Sequence, residues 1–466
     1  MAFIMGFIIL KYKLEENLMF KKVTNVFVAL VQKYLPDAFL FAIFLTIATL
    51  GLGVVVTGQS LLTMINHWGD GVWKLLAFSM QMALVLVTGH TLASSKPFKT
   101  GLRTLAKVAN TPTQAILAVS FVSAVACWIN WGFGLVIGAL YARELAKRVK
   151  DVDYRLLIAS AYSGFLVWHG GISASIPLTL ATDAAANALQ TGGAVTEIIP
   201  TTLTIFSSTN LIISAILIFT LPLVNRAMHP EKRLTVTINP ELLIDQEEDP
   251  KLNVNDTPAD KLENSMMINL IVFAISMTYI VMHFVNNGFD LNLNIVNLIF
   301  LTFGLLFHKT PRRFIRAFGE AAKGAGPILL QFPFYAGIMG MMTGAVNGVS
   351  LAGEISNWFV NIATVRTFPL FSFLSAGIVN FFVPSGGGQW AVQAPIMMPA
   401  GLELGVPAAK TAIAIAWGDA WSNMIQPFWA LPALGIAGLG ARDIMGFCMM
   451  DLIYSGVIIS LVLYFL

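Results

Sequence analysis

Charge is scarce in this chain. Of 466 residues only 11% are Asp, Glu, Lys or Arg, against 56% that are apolar, whereas a soluble domain carries about 25% charge. That deficit excludes a watery surround over most of the molecule and points to lipid-facing surface, hence an all-α polytopic membrane protein. Cysteine is scarcer still. Cys127 and Cys448 both sit in apolar runs and give neither a disulfide framework nor a metal-ligand spacing. Also missing are the His, Asp and Glu clusters near one face that a membrane-embedded enzyme would usually show. No enzyme, cofactor, bound metal or nucleic-acid partner is therefore expected.

What the chain has in excess is apolar runs of spanning length, near 37–57, 72–93, 203–224, 266–285, 291–308, 327–346 and 445–466. Two more spans, 155–181 and 407–438, are interrupted by polar or helix-breaking residues. Two stretches, 113–147 and 368–402, read as paired half-helices around a Gly-rich centre. Residues 225–265 are polar and Pro-bearing and hold nine of the 25 acids, which reads as a cytoplasmic linker. Residues 1–36 read as a cytoplasmic N-terminal segment. Met1–Leu10 is too short to span and has its basic residues on the wrong side for a signal peptide, so 1–18 is expected to be an over-extended start.

Lys and Arg fix an orientation, because they concentrate in cytoplasmic loops. With the N-terminus in the cytoplasm, and each paired stretch entering and leaving by one face, only Lys74, Arg366 and Lys410 of the 28 basic residues fall outside. Both paired stretches are then expected to be re-entrant hairpins, the first opening to the cytoplasm and the second to the outside, with the C-terminus outside.

The two halves also echo each other. "IFLT" at 43–46 recurs at 299–302, "WINWGFG" at 128–134 overlies "FVPSGGG" at 382–388, and Tyr162 and Pro177 overlie Trp417 and Pro432, all at an offset of about 255. "NLIISAI" at 210 overlies "DLIYSGV" at 451. A near-constant offset with opposite orientation predicts two inverted-topology repeats, 37–224 and 266–466, each with a re-entrant hairpin and a broken transmembrane helix. Inverted repeats with broken helices are an architecture of secondary transporters, with the site near mid-membrane at the repeat interface.

The chemistry is expected at the breaks. Three consecutive glycines after Pro384 cannot sustain a helix, since each costs about 1 kcal/mol against alanine and proline removes a donor. Such backbone is tolerated at membrane depth only inside protein or beside a wet cavity. Its N–H groups, together with a helix start near Gln389, would make an anion site. The substrate-binding candidates are therefore Ser385, Gly386, Gly387, Gly388, Gln389 and Trp390 at this tip. At the matching one they are Asn130, Gly132 and Gly134. His169, Gly170, Gly171 and Ser173 in the break of "VWHGGISASIP" complete the set. The alternative for the glycines is close helix packing.

In the other break, "DAWSNMIQP", Asp419, Ser422, Asn423 and Gln426 are candidates for a coupling-ion site, for H⁺ or for Na⁺, which hydroxyl, amide and carbonyl oxygens suit. Only Asp419 and Asp451 among the acids fall inside expected spans, where an ionisable residue is costly and functional by default. Asp451, which overlies Asn210, is expected to make a structural hydrogen bond. No Lys or Arg lies deep in a span, which argues for a small substrate with a single charge. Trp128, Trp131, Trp168, Trp390, Trp417 and Trp421 near the breaks would suit a short acyl tail or ordinary packing.

On "YLPDAFLFAIFLT", "WINWGFGLVIGALYARE", "WHGGISASIPL", "VPSGGGQWAVQAP" and "WGDAWSNMIQPFWALPALGIAG", the sequence from about Met19 to the C-terminus resembles the bacterial short-chain fatty acid transporters of the acetoacetate and butyrate uptake type. The resemblance implies a bacterial cytoplasmic (inner) membrane, ion-coupled uptake of short monocarboxylates, and a homodimer whose hairpin domain moves like an elevator. The rivals are a cation/proton antiporter, or a carrier of another small carboxylate, on the same architecture.

Overall fold

A backbone in lipid must satisfy its own hydrogen bonds, and helices do so within one segment. The computed structural model of this protein describes residues 38–239, 243, 257–426 and 428–466. These residues form helices joined by turns and by longer irregular stretches such as 191–207, with one isolated bridge between Val346 and Val349 as the sole extended pairing among them. The segment 1–36, with its expected over-extended start, the acid-rich middle of the linker, and Pro427 lie outside the described residues.

Among the described residues, seven segments are long and apolar enough to cross a membrane: Leu76–Ala93, Pro112–Ile129, Tyr154–Leu180, Ser208–Ala227, Met266–Asn287, Pro311–Thr343 and Ala441–Phe465. The chain is a multi-pass helical membrane protein. Burial sorts these segments. Tyr154–Leu180 is 94% buried and runs through the centre, whereas Met266–Asn287 is 11% buried and faces outward almost all round.

Both paired stretches are helical hairpins. Pro112–Ile129 ends at Asn130, whose extended backbone (φ −154, ψ 125) turns the chain into Trp131–Arg148, and the two helices pack on each other. They approach closely because a Cβ on Gly134 would strike the backbone of Cys127, and one on Gly138 would strike Ser123. Phe368–Phe382 likewise turns through Val383–Ser385 into Gly386–Glu403.

Both interrupted spans are broken as well. Tyr154–Ser163 tightens into a 3₁₀ stretch, Gly164–Gly170, opens at Gly171, and resumes at Ser175–Leu180. Ala408–Ser422 stops before a turn, and the chain resumes through Phe428–Ala430 into Leu431–Ala437, closed by Gly438 at φ 69.

Four amphipathic helices flank this scaffold: Leu61–Gly71, Lys96–Leu105, Pro311–Ala322 and Leu351–Ile362. A search for apolar runs passes over them.

Candidate functional site

Each hairpin tip is built as a helix start. At the second tip the Ser385 hydroxyl accepts the N–H of Gly388 (3.3 Å) and its carbonyl accepts that of Gln389 (2.7 Å). A helix of this kind leaves its first N–H groups without intrahelical partners, here those of Gly386 and Gly387. Both glycines line a cavity with Ser385, Met82, Trp131, Phe165, Trp168, Ser175, Ile328, Phe332 and Trp429, with about 20 Å³ of room for water-sized centres. Five of the lining residues are aromatic, and Met82 and Ile328 add aliphatic surface. Trp131 packs edge-on to Trp429 at 5.0 Å.

The glycines at this tip are required by their neighbours. A Cβ on Gly386 would lie 2.6 Å from His169 Cε1 and 2.8 Å from Trp168. One on Gly387 would lie 2.9 Å from the Phe78 ring and 3.0 Å from Phe332. The rings and the tip backbone therefore share one small volume.

The first tip is similar in form. Asn130 Oδ1 accepts the N–H of Phe133 (2.9 Å), and the N–H of Trp131 donates to Ser173 Oγ (3.0 Å). Ser173 thus ties the first break to the first hairpin. Gly132 and Gly134 lie against Leu86 and Cys127, away from the cavity lining, and Gly171 lies against the carbonyl of Trp128. Asn130 Nδ2 is buried without a partner.

Below the second tip the two breaks meet. His169 and Asp419 are buried, at 0% and 1% exposure, and joined at 2.8 Å between Nδ1 and Oδ2. The N–H of Ile176 donates to His169 Nε2 at 3.2 Å. An amide N–H can only donate, so Nε2 is the acceptor and the imidazole carries its hydrogen on Nδ1, aimed at Asp419. Asp419 Oδ1 has no partner. Trp168 stacks on His169 at 4.0 Å and Gly386 touches it, so the acid–imidazole pair adjoins the cavity wall.

A second polar knot surrounds Asn380 on the first helix of hairpin two. Its Nδ2 lies 2.9 Å from the Asp419 carbonyl, 2.9 Å from Ser422 Oγ and 2.9 Å from Asn423 Oδ1. Gln426 Nε2 donates to Asn423 Oδ1 (3.2 Å), and the Tyr162 hydroxyl donates to the Asn423 carbonyl (2.8 Å). All four expected coupling-ion residues are therefore together. Gln389 stands apart from the cavity lining, bound to Ala376 O and Gln393, and Trp390 is wholly buried in a separate apolar cluster. Gly170 lies against Trp417, whose indole donates to Asn210 (2.9 Å); Asn210 in turn donates to the Gly170 carbonyl (2.8 Å).

Besides the expected site residues that stand apart from the cavity lining, other features depart from the sequence reading. The structural hydrogen bond expected of Asp451 is absent: both carboxyl oxygens are buried without a partner, and only its backbone carbonyl accepts, from Ser455. Asn380, Trp429 and the Phe78–Phe332 pair went unread. The one available signal was a lone amide in the apolar run "FSFLSAGIVNFFVP".

Fold and site together define a multi-pass helical membrane protein with two hairpin tips and two helix breaks in its interior. A sequence model of the Short chain fatty acid transporter family matches residues 19–466, and the chain belongs to that family. A protein of Escherichia coli (strain K12), provisionally named as a short-chain fatty acid transporter, is 47% identical over 441 residues, covering 94% of this chain and 98% of the relative. A similarly named protein of Haemophilus influenzae is 44% identical over 451 residues, covering 96% and 100%. In fold the chain is similar to the YdaH transporter of Alcanivorax borkumensis, with a TM-score of 0.55 at 14% identity over 91% of this chain and 98% of that one.

Proposed function

We propose that this protein takes up short monocarboxylates of the butyrate and acetoacetate kind across the bacterial inner membrane, coupled to a cation, H⁺ or Na⁺. The observation that carries the reading is the cavity at Ser385–Gly387. There, the first residues of a helix line a small space together with the side chains of Trp131, Phe165, Trp168, Phe332 and Trp429. A carboxylate suits the N–H groups through charge and donor geometry, and a short acyl tail suits the rings. No Lys or Arg is among the lining residues, which favours one charge over two. Family membership and the names of the two bacterial relatives agree with the substrate class.

Asp419 supplies a carboxylate beside the cavity wall, and with Ser422, Asn423 and Gln426 it forms the proposed coupling site. Support for two inverted repeats comes from the near-constant offset of about 255, now joined by two hairpins and two breaks at matching positions. In this reading the hairpins are re-entrant, the N-terminus and linker are cytoplasmic, the C-terminus is outside, and a homodimer carries the hairpins in an elevator movement.

The test is uptake of labelled butyrate into proteoliposomes, with Na⁺ and proton gradients imposed separately. Accumulation under at least one gradient, competed by acetoacetate and not by butyramide, is the expected result. Exchange of cations with no carboxylate movement would favour an antiporter instead.

A further inference from the structure

We propose that Asn380 and the end of the half-helix Ala408–Ser422 form a sodium site, with Asn380 Oδ1, the Asp419 carbonyl, Ser422 Oγ and Asn423 Oδ1 as ligands. The inference rests on the coupled-uptake reading and names its ion.

The observation is a mismatch in hydrogen bonding. Asn380 is wholly buried, and its Nδ2 faces three oxygens, each at 2.9 Å. An amide NH₂ has two hydrogens, so it serves at most two of them. Meanwhile Asn380 Oδ1, on the other side of the same amide, has no partner, and neither does Asn423 Nδ2. The oxygen and nitrogen of such an amide are assigned from surrounding hydrogen bonds. Turning the Asn380 amide over brings Oδ1 towards the three oxygens. Four converging oxygens repel one another unless a cation lies between them.

The surroundings favour that cation. Asp419 and Ser422 lie in the last turn of the helix, where unpaired carbonyls carry the negative end of the dipole. The Asn423 N–H, which would continue the helix, turns instead to the Trp421 carbonyl. Ser422 Oγ gives its own hydrogen to the Gly418 carbonyl (3.1 Å), leaving its lone pairs free to face the site. Carbonyl, hydroxyl and amide oxygens are hard ligands that bind no proton near neutral pH but suit a hard metal ion. None of the four ligand atoms is a carboxylate oxygen, which suits a monovalent ion over a divalent one. The site also joins the second hairpin to the second break, so an ion there ties together the two elements that bound the cavity region.

The test uses purified full-length protein, with NaCl replaced by KCl or choline chloride at equal ionic strength and unfolding temperature read against Na⁺ concentration. The wild type should show a saturable rise with Na⁺ and none with K⁺ or choline. Asn380→Leu should lose that rise. Asn380→Asp, which replaces the amide by an anionic ligand, should keep it and half-saturate at several-fold lower Na⁺. An equal response to all three salts would overturn the site. So would an Asn380→Asp variant destabilised at every Na⁺ concentration, since that is the mark of an amide needed only as a donor. The same samples are titrated with butyrate. Butyrate stabilisation without any Na⁺ effect removes the sodium site and leaves the uptake reading standing. A Na⁺ effect without butyrate stabilisation does the reverse.

Discussion

At the residue scale, the chemistry depends on Asp419. Its Oδ2 accepts from His169, and asparagine can accept the same bond through its side-chain carbonyl. Asp419→Asn should therefore fold and insert normally and keep the backbone carbonyl proposed to hold Na⁺, yet lose the negative charge beside that ion and with it gradient-driven accumulation of butyrate. Wild-type accumulation by this variant under both Na⁺ and proton gradients would remove Asp419 from coupling. The glycines separate on steric grounds. An added Cβ at Gly387 meets only the outer edges of Phe78 and Phe332, whereas at Gly386 it meets His169 and Trp168, which the buried pair holds in place. Gly387→Ala should weaken butyrate binding by about 1–3 kcal/mol, the worth of one charge-assisted bond, and weaken butyramide binding less. Calorimetry with both ligands checks this, and equal losses would take the tip out of the anion site.

At the element scale, a demanding contact lies between Phe368–Phe382 and Ala408–Ser422. A Cβ on Gly418 would overlap the Phe373 carbonyl and stand 2.6 Å from Ala376 Cβ, and backbone cannot step aside cheaply. Gly418→Ala should therefore cost about 1–3 kcal/mol or more in stability, as overpacked interiors do. Thermal unfolding in detergent should fall while the variant keeps its helix content.

The same elements show what the sequence made legible. Long apolar runs gave the spans nearly to the residue: 266–285 is observed as Met266–Asn287 and 291–308 as Leu293–His308. Gly and Pro clusters located both hairpin tips and both breaks. The amphipathic helices escaped because Lys96–Leu105 and Pro311–Ala322 carry charge on one face and read as loops to a search for uniform hydrophobicity. Asn380 escaped for another reason. Its partners lie 39 to 43 positions away, so its meaning arises only once two helices pack. Trp429 likewise becomes part of a cavity only through Trp131, some 300 positions earlier.

At the scale of the whole molecule, the proposed orientation makes a direct prediction. In a background lacking Cys127 and Cys448, a cysteine at exposed Thr364 should react with an impermeant maleimide applied to intact cells, and one at exposed Thr237 only after the cells are opened. The opposite pattern would invert the topology, and reactivity of both from outside would dismantle the hairpin assignment with it.

The bonds between the two breaks have a consequence for how the protein is made. Trp417 of the second half holds Asn210 of the first, Asp419 holds His169, and Tyr162 caps the free carbonyl of Asn423. The first half thus caps irregular backbone of the second at Asn423, and side chains of the second half hold Asn210 and His169 beside the break of the first. A gene divided between Asn239 and Thr257 should yield two polypeptides that accumulate only when co-expressed, while either one by itself is degraded.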